Sequence, residues 1–144
     1  IIQDNNCRIW RFMLKLTKKT EYALIAIKHF QGVDLDDIST ARTISKIYSI
    51  PFPILSKVLQ SMARKKLIEP VQGAKGGYRL IINPKETNLF SFLEIMEGPF
   101  GFANCLVPSG CANAENCVIQ SPIQKINTQL QLFFENLTIS DIIE

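Results

Sequence analysis

The stretch of this chain that most restricts its fold runs from Ile50 to Ile81, where an apolar pattern of helical period gives way within a few residues to a hairpin pattern. The segment IPFPILSKVLQSMARKKL opens with Pro51 and Pro53, which suit a turn followed by the first turn of a helix. Leu55, Val58, Leu59 and Met62 then recur three and four apart as one apolar stripe, leaving Ser56, Lys57, Gln60, Ser61 and Arg64 on the opposite or flanking surface. Leu67-Ile68, the loop VQGAKGG and the run Tyr78-Arg79-Leu80-Ile81 follow as a β-hairpin, with Gly76 and Gly77 expected to supply unusual backbone angles at its tip.

Upstream, Tyr22, Ala23, Ala26, Ile27 and Phe30 give an amphipathic helix over 17–30 that stops near Gly32. The acidic link DLDD leads to Ser39 and Thr40, either of which can cap a short helix reaching about Tyr48. Two short helices, a tight turn and a hairpin spell a winged helix-turn-helix, whose third helix presents side chains that could read a DNA groove. The expected fold is therefore mainly α with a small β-hairpin wing.

Charge supports a polyanionic partner. Residues 1–80 carry 14 Lys and Arg against 6 Asp and Glu, whereas 81–144 carry 2 against 7, so the chain's +3 hides a basic half and an acidic one. At 144 residues, 47% apolar and 20% charged, the chain has the proportions of one ordinary globular domain. No apolar run approaches the roughly 18 residues of a membrane span. The opening IIQDNNCRIWRF has no continuous hydrophobic stretch, so a cytoplasmic protein is expected. Helical pattern begins just after Met13, and 1–12, with Cys7, read as an extension outside the core.

Beyond Pro84, Asn88 can cap a helix with Leu89, Phe92, Leu93 and Met96 on one face, ending at Gly98. Pro122 is expected to begin a long helix on which Ile123, Ile126, Leu130, Phe133 and Leu137 form a seam of the coiled-coil kind. Such a stripe either packs within its own subunit or makes a homodimer, which the two-fold symmetry of DNA half-sites favours. The organisation expected is an extension over 1–12, a DNA-binding domain over 13–83, a connecting helix within 84–98, a cysteine loop over 99–121, and a dimerisation helix with its tail over 122–144.

The loop CLVPSGCANAENC places Cys105, Cys111 and Cys117 with five residues between each, in a pliable setting of Gly, Pro, Ala and Asn. An odd count argues against a structural disulfide framework, and zinc sites usually contain a closer pair. Soft thiolates also suit an iron-sulfur cluster. Spacing alone leaves a cluster, zinc, a redox-reactive pair and three unconnected thiols open. No catalytic dyad accompanies the cysteines, and no phosphate-binding loop, zincin helix or serine elbow is present, so an enzyme is not expected.

Taken together, LTKKTEYAL, GAKGGYRL, IMEG and the Cys-x5-Cys-x5-Cys run stand in the order found in the IscR/NsrR-type winged-helix regulators, the Rrf-two family, which the chain resembles from about Leu14 to Ile143. The resemblance implies a repressor or activator at pseudo-palindromic promoter sites, with a 2Fe-2S or 4Fe-4S cluster on Cys105, Cys111 and Cys117. Where IscR-like proteins carry a histidine ligand three residues after the last cysteine, this chain has Gln120. In the NsrR branch a carboxylate in the first helix completes the cluster, and Glu21 matches that position, implying a reach into the opposite subunit's loop. His29 reads as an ordinary surface or packing residue. Thr17, Lys18, Lys46, Lys75 and Arg79 are expected on phosphates, and Ser56, Lys57 and Gln60 on base edges. Gln72 stands where the family commonly has a wing arginine. The alternative function is a winged-helix regulator without a cluster, using the thiols for zinc or direct redox sensing.

Overall fold

The structure is a computed structural model that describes residues 16–33, 38–99, 101, 103 and 112–144. The expectations about Met13, the 1–12 extension, Cys105 and Cys111 lie outside those residues.

Helix α1 spans Lys18–Gln31; Thr17 caps it by accepting a hydrogen bond from the Thr20 amide, and it ends at Gly32. Thr40 caps α2, Ala41–Ile47, in the same way through the Thr43 amide. Helix α3, Phe52–Arg64, starts after Pro51 and has Pro53 in its first turn, where the missing amide hydrogen removes no helical bond. Between α2 and α3, Ser49 takes a left-handed conformation at φ 53°, and the Ser45 hydroxyl donates to the Ile50 carbonyl, closing a tight turn. Strands β1, Ile68–Val71, and β2, Gly77–Leu80, form an antiparallel hairpin in which Glu69 faces Arg79 and Pro70 faces Tyr78.

The two glycines of the wing play a different part from the one expected. Gly73 is the tip residue with positive φ, at 129°, and its carbonyl accepts from the Gly76 amide. Gly76 and Gly77 are required by close approach instead. A Cβ on Gly77 would stand 2.6 Å from the Ser39 carbonyl oxygen, and one on Gly76 would stand 2.7 Å from that of Val71. The Gly77 contact accompanies a pair of backbone hydrogen bonds between Ser39 and Tyr78, which ties the wing to the strand-like residues before α2.

Helix α4 spans Leu89–Glu97, capped by Asn88 and ended by Gly98 at φ 87°. Its Leu89, Phe92, Leu93 and Met96 share one core with Ala23, Ala26 and Ile27 of α1 and with Leu55, Leu59 and Met62 of α3. Helix α5 runs over Gln120–Glu135, two residues ahead of the expected start, with Pro122 inside its first turn. Leu137 lies past its end at Asn136 and packs against the core rather than continuing the seam. Ile139 is fully buried, and α6, Ser140–Ile143, returns the chain to α1. No helix among the described residues is long and apolar enough to cross a membrane.

Candidate functional site

Helix α3 turns Leu55, Val58, Leu59 and Met62 inward, so Lys57 and Gln60 stand exposed on its outer surface and Ser56 half-buried at its flank. Lys46, in the last turn of α2, and Lys75, in the hairpin loop, are also exposed. The remaining residues expected on DNA have partners of their own. Arg79 donates through Nε to the Glu69 carboxylate across the hairpin, and Lys18 pairs with Glu21 at 2.5 Å, which raises the Lys18 pKa by hydrogen bonding and charge. The Thr17 hydroxyl, besides capping α1, donates to Glu97.

Residues not singled out from sequence join this surface. Phe52 and Ile54, in the first turn of α3, remain 42% and 48% exposed, and the Arg42 guanidinium lies 5.4 Å from the centre of the Phe52 ring. The run Phe52-Pro53-Ile54 at the start of an amphipathic helix was the available signal, since it breaks the polar pattern of an outer face.

A second cluster fastens the end of α4. The Glu97 carboxylate accepts hydrogen bonds from Thr17 and from fully buried Thr20, at the amino end of α1 where a negative charge is favoured by the helix dipole. Lys19 donates to the Met96 carbonyl and Lys65, at the end of α3, to that of Ile95, placing two ammonium groups on the last carbonyls of α4. Partial desolvation and then the nearby Lys19 charge lower the Lys65 pKa. The clamp joins α1, α3 and α4 at the point where the chain leaves for the cysteine loop. Its partners are 77 and 80 residues apart in sequence, so local pattern could not pair them.

Of the loop itself, Cys117 is described: a free, half-buried thiol between a short 3-10 turn, Ala114–Asn116, and α5. Gln120 is the first residue of α5. Glu21 sits in the first turn of α1, one residue from the clamp's Thr20, with its side chain 33% exposed. Among the described residues, no group of three or more His, Cys, Asp or Glu is arranged to hold a metal ion. His29 is a buried packing residue whose Nε2 lies 2.8 Å from the Ser39 hydroxyl and whose Nδ1 lies 3.4 Å from the Tyr48 hydroxyl; burial lowers its pKa.

This arrangement of helix-turn-helix, wing and C-terminal helix agrees with comparison to known proteins. The profile of the Rrf2 family, described as iron-dependent transcriptional regulators, matches residues 16–144. The chain belongs to the Rrf2 family. Like other Rrf2 proteins it is a DNA-binding transcriptional regulator rather than an enzyme. Among its relatives, a protein of Aquifex aeolicus named as an HTH-type transcriptional regulator is 29% identical over 85% of this chain and 86% of its own. The regulator NsrR of Halalkalibacterium halodurans is 24% identical over 90% of each chain. The fold is similar to that of CymR, the global cysteine regulator of B. subtilis, with a TM-score of 0.68 over 91% of this chain and 97% of CymR at 19% identity.

Proposed function

We propose that this Rrf2 protein works as a homodimer on a pseudo-palindromic duplex site and senses redox, nitric oxide or iron-sulfur status through a cluster held by Cys105, Cys111 and Cys117, with Glu21 as fourth ligand. The observation that carries the reading is the set of three evenly spaced thiols immediately beyond the α4 clamp, in a chain related to NsrR. The donor set fits: thiolates are the ordinary ligands of iron-sulfur centres, and a carboxylate can fill a fourth position. When bound, the cluster would supply a redox-labile and nitric-oxide-labile centre of 2Fe-2S or 4Fe-4S type. The protein's own part is mechanical. Thr17 and Thr20 hold Glu97 on α1, and Lys65 holds α4 on α3, so strain entering at the loop reaches the helix that faces DNA.

In this reading Ser56, Lys57 and Gln60 face base edges, while Lys18, Lys46, Lys75 and Arg79 lie along phosphates, Lys18 and Arg79 exchanging their carboxylate partners for phosphate oxygens; the Thr17 hydroxyl, expected on a phosphate, stays on Glu97. Dimerisation runs through α5, none of whose residues is buried within the protomer.

A second reading, a regulator with zinc or bare thiols in the loop, is favoured by the engagement of Glu21 with Lys18 and by an amide at Gln120. Anaerobic purification with an absorption spectrum and iron, sulfide and zinc analysis separates the two. A brown protein containing iron and sulfide, bleached by Cys111→Ala and made labile by Glu21→Ala, is the expected result. Colourless protein that stays metal-free after anaerobic reconstitution would sink the cluster reading and leave the thiol switch, and stoichiometric zinc would indicate a structural loop.

A further inference from the structure

The leading end of α3 has the wrong chemistry for an ordinary solvent face. Counting around the helix, Leu55, Val58, Leu59 and Met62 point to the core, and the opposite side is centred on Pro53, Lys57, Gln60 and Arg64. Phe52 and Ile54 flank Pro53, one to either side, and each keeps nearly half its surface in solvent. The first turn of the helix therefore ends in an uninterrupted apolar nose of three residues.

Its surroundings identify what could cover it. Ile54 and Pro53 line a hollow of about 360 Å³ between α1 and α3 whose rim carries Lys19 and Lys57. On the other side Arg42 lies over the Phe52 ring and brings a third positive charge to the nose. An apolar surface ringed by cations is a poor match for this chain's own α5, whose apolar seam is accompanied by one carboxylate, Glu135, and one further cation, Lys125, and for a neutral protein face. It fits the floor of a polyanionic groove. In a helix-turn-helix the amino-terminal residues of the second helix are those that meet base edges. The major groove offers apolar side chains one distinctive feature, the 5-methyl group of thymine.

We infer that Phe52 and Ile54 are specificity-determining residues that read thymine methyl groups in each half-site, ahead of the polar contacts of Lys57 and Gln60. The inference rests on α3 being the DNA-reading helix, as in the function proposed above. It adds what the polar residues cannot, discrimination of thymine from uracil by the methyl group alone.

The test begins with selection of bound sequences from a random duplex library by the full-length protein, in its anaerobically purified form and again after iron removal. The selected duplex is then remade with deoxyuridine in place of each thymine, a change that deletes only the methyl group. Enrichment of thymine in each half-site is expected, with a loss of about fourfold in affinity for each methyl removed from beneath the nose. The Phe52→Ala, Ile54→Ala double variant changes only exposed side chains; it should bind the thymine and deoxyuridine duplexes equally. Half-sites without thymine, or a uracil duplex bound as tightly as the thymine one by the wild type, would overturn the inference while leaving α3 as the reader. If neither form of the protein selects any sequence, the interface itself is lost, and this role for Phe52 and Ile54 with it.

Discussion

Helices α3 and α5 are built on the same sequence pattern and meet opposite fates. Both carry apolar residues three and four apart, yet the stripe of α3 is buried among α1, α2 and the hairpin, whereas no residue of α5 is buried, and Ile126 and Phe133 are 46% and 60% exposed. The difference teaches that amphipathic period states only that a face must be covered. What covers it depends on where the chain goes next: α3 is followed by a short hairpin that folds over the same core, while α5 meets the core near its carboxyl end, through Phe134 and then Leu137. One stripe is satisfied inside the protomer, and the other is available to a second copy.

Five substitutions, one of them read through a pH titration, would break or sharpen that contrast. The largest effect is expected from Leu59→Ala, which empties a fully buried site in α3 and should cost about 2–5 kcal/mol in urea unfolding at any protein concentration. Phe133→Ala should leave unfolding of the isolated protomer nearly unchanged but weaken self-association by about 2 kcal/mol, roughly thirtyfold, in sedimentation equilibrium. If Phe133→Ala instead destabilises the protein independently of concentration, α5 is an intramolecular element and the contrast fails.

On the outer face of α3, Lys57→Ala should lower affinity for the selected duplex and change preference at one position of each half-site. If Lys57 serves a phosphate instead, preference is kept and the slope of log affinity against log salt falls by about one. His29 supplies a pH test of the α1 to α2 packing. Its pKa is lowered by burial in the folded protein, so the unfolded chain takes up the proton first; the stability it contributes is complete above its ordinary value of 6.5 and declines as pH falls below it. His29→Gln should remove that part of the acid sensitivity in thermal unfolding curves. The smallest change is Ser49→Gly, at φ 53°, where relief of left-handed strain is set against a more flexible unfolded chain, for a net gain under about 1 kcal/mol.

The two helices also show why some features were legible in sequence and others were not. The buried stripe of α3, the caps Thr40 and Asn88, and the stop at Gly98 are local: their chemistry is decided within one or two turns. The seam of α5 is legible as far as Phe133, but periodicity carries it on to Leu137 because it does not see Asn136 end the helix. In the hairpin the glycines were visible and their reasons were not. Gly77 answers to the Ser39 carbonyl, 38 positions earlier, a contact that exists only after the wing has docked. The Glu97 clamp is hidden for the same cause, and the cysteine spacing, though plain, specifies a set of donors without fixing what they hold.

The path of α5 has a mechanical consequence. Its carboxyl end is pinned: Asn88 donates to the Glu135 carbonyl, the Leu89 amide to that of Leu137, and the Ile139 amide to that of Thr87, beside a fully buried Ile139 side chain. Its amino end begins beside Cys117, with no side-chain cap and no buried residue. A rod held at one end turns small pushes at the other into swing. Any chemistry at the cysteine would act at the long arm of that rod, and the fulcrum would lie against α4, where the lever bears on the domain.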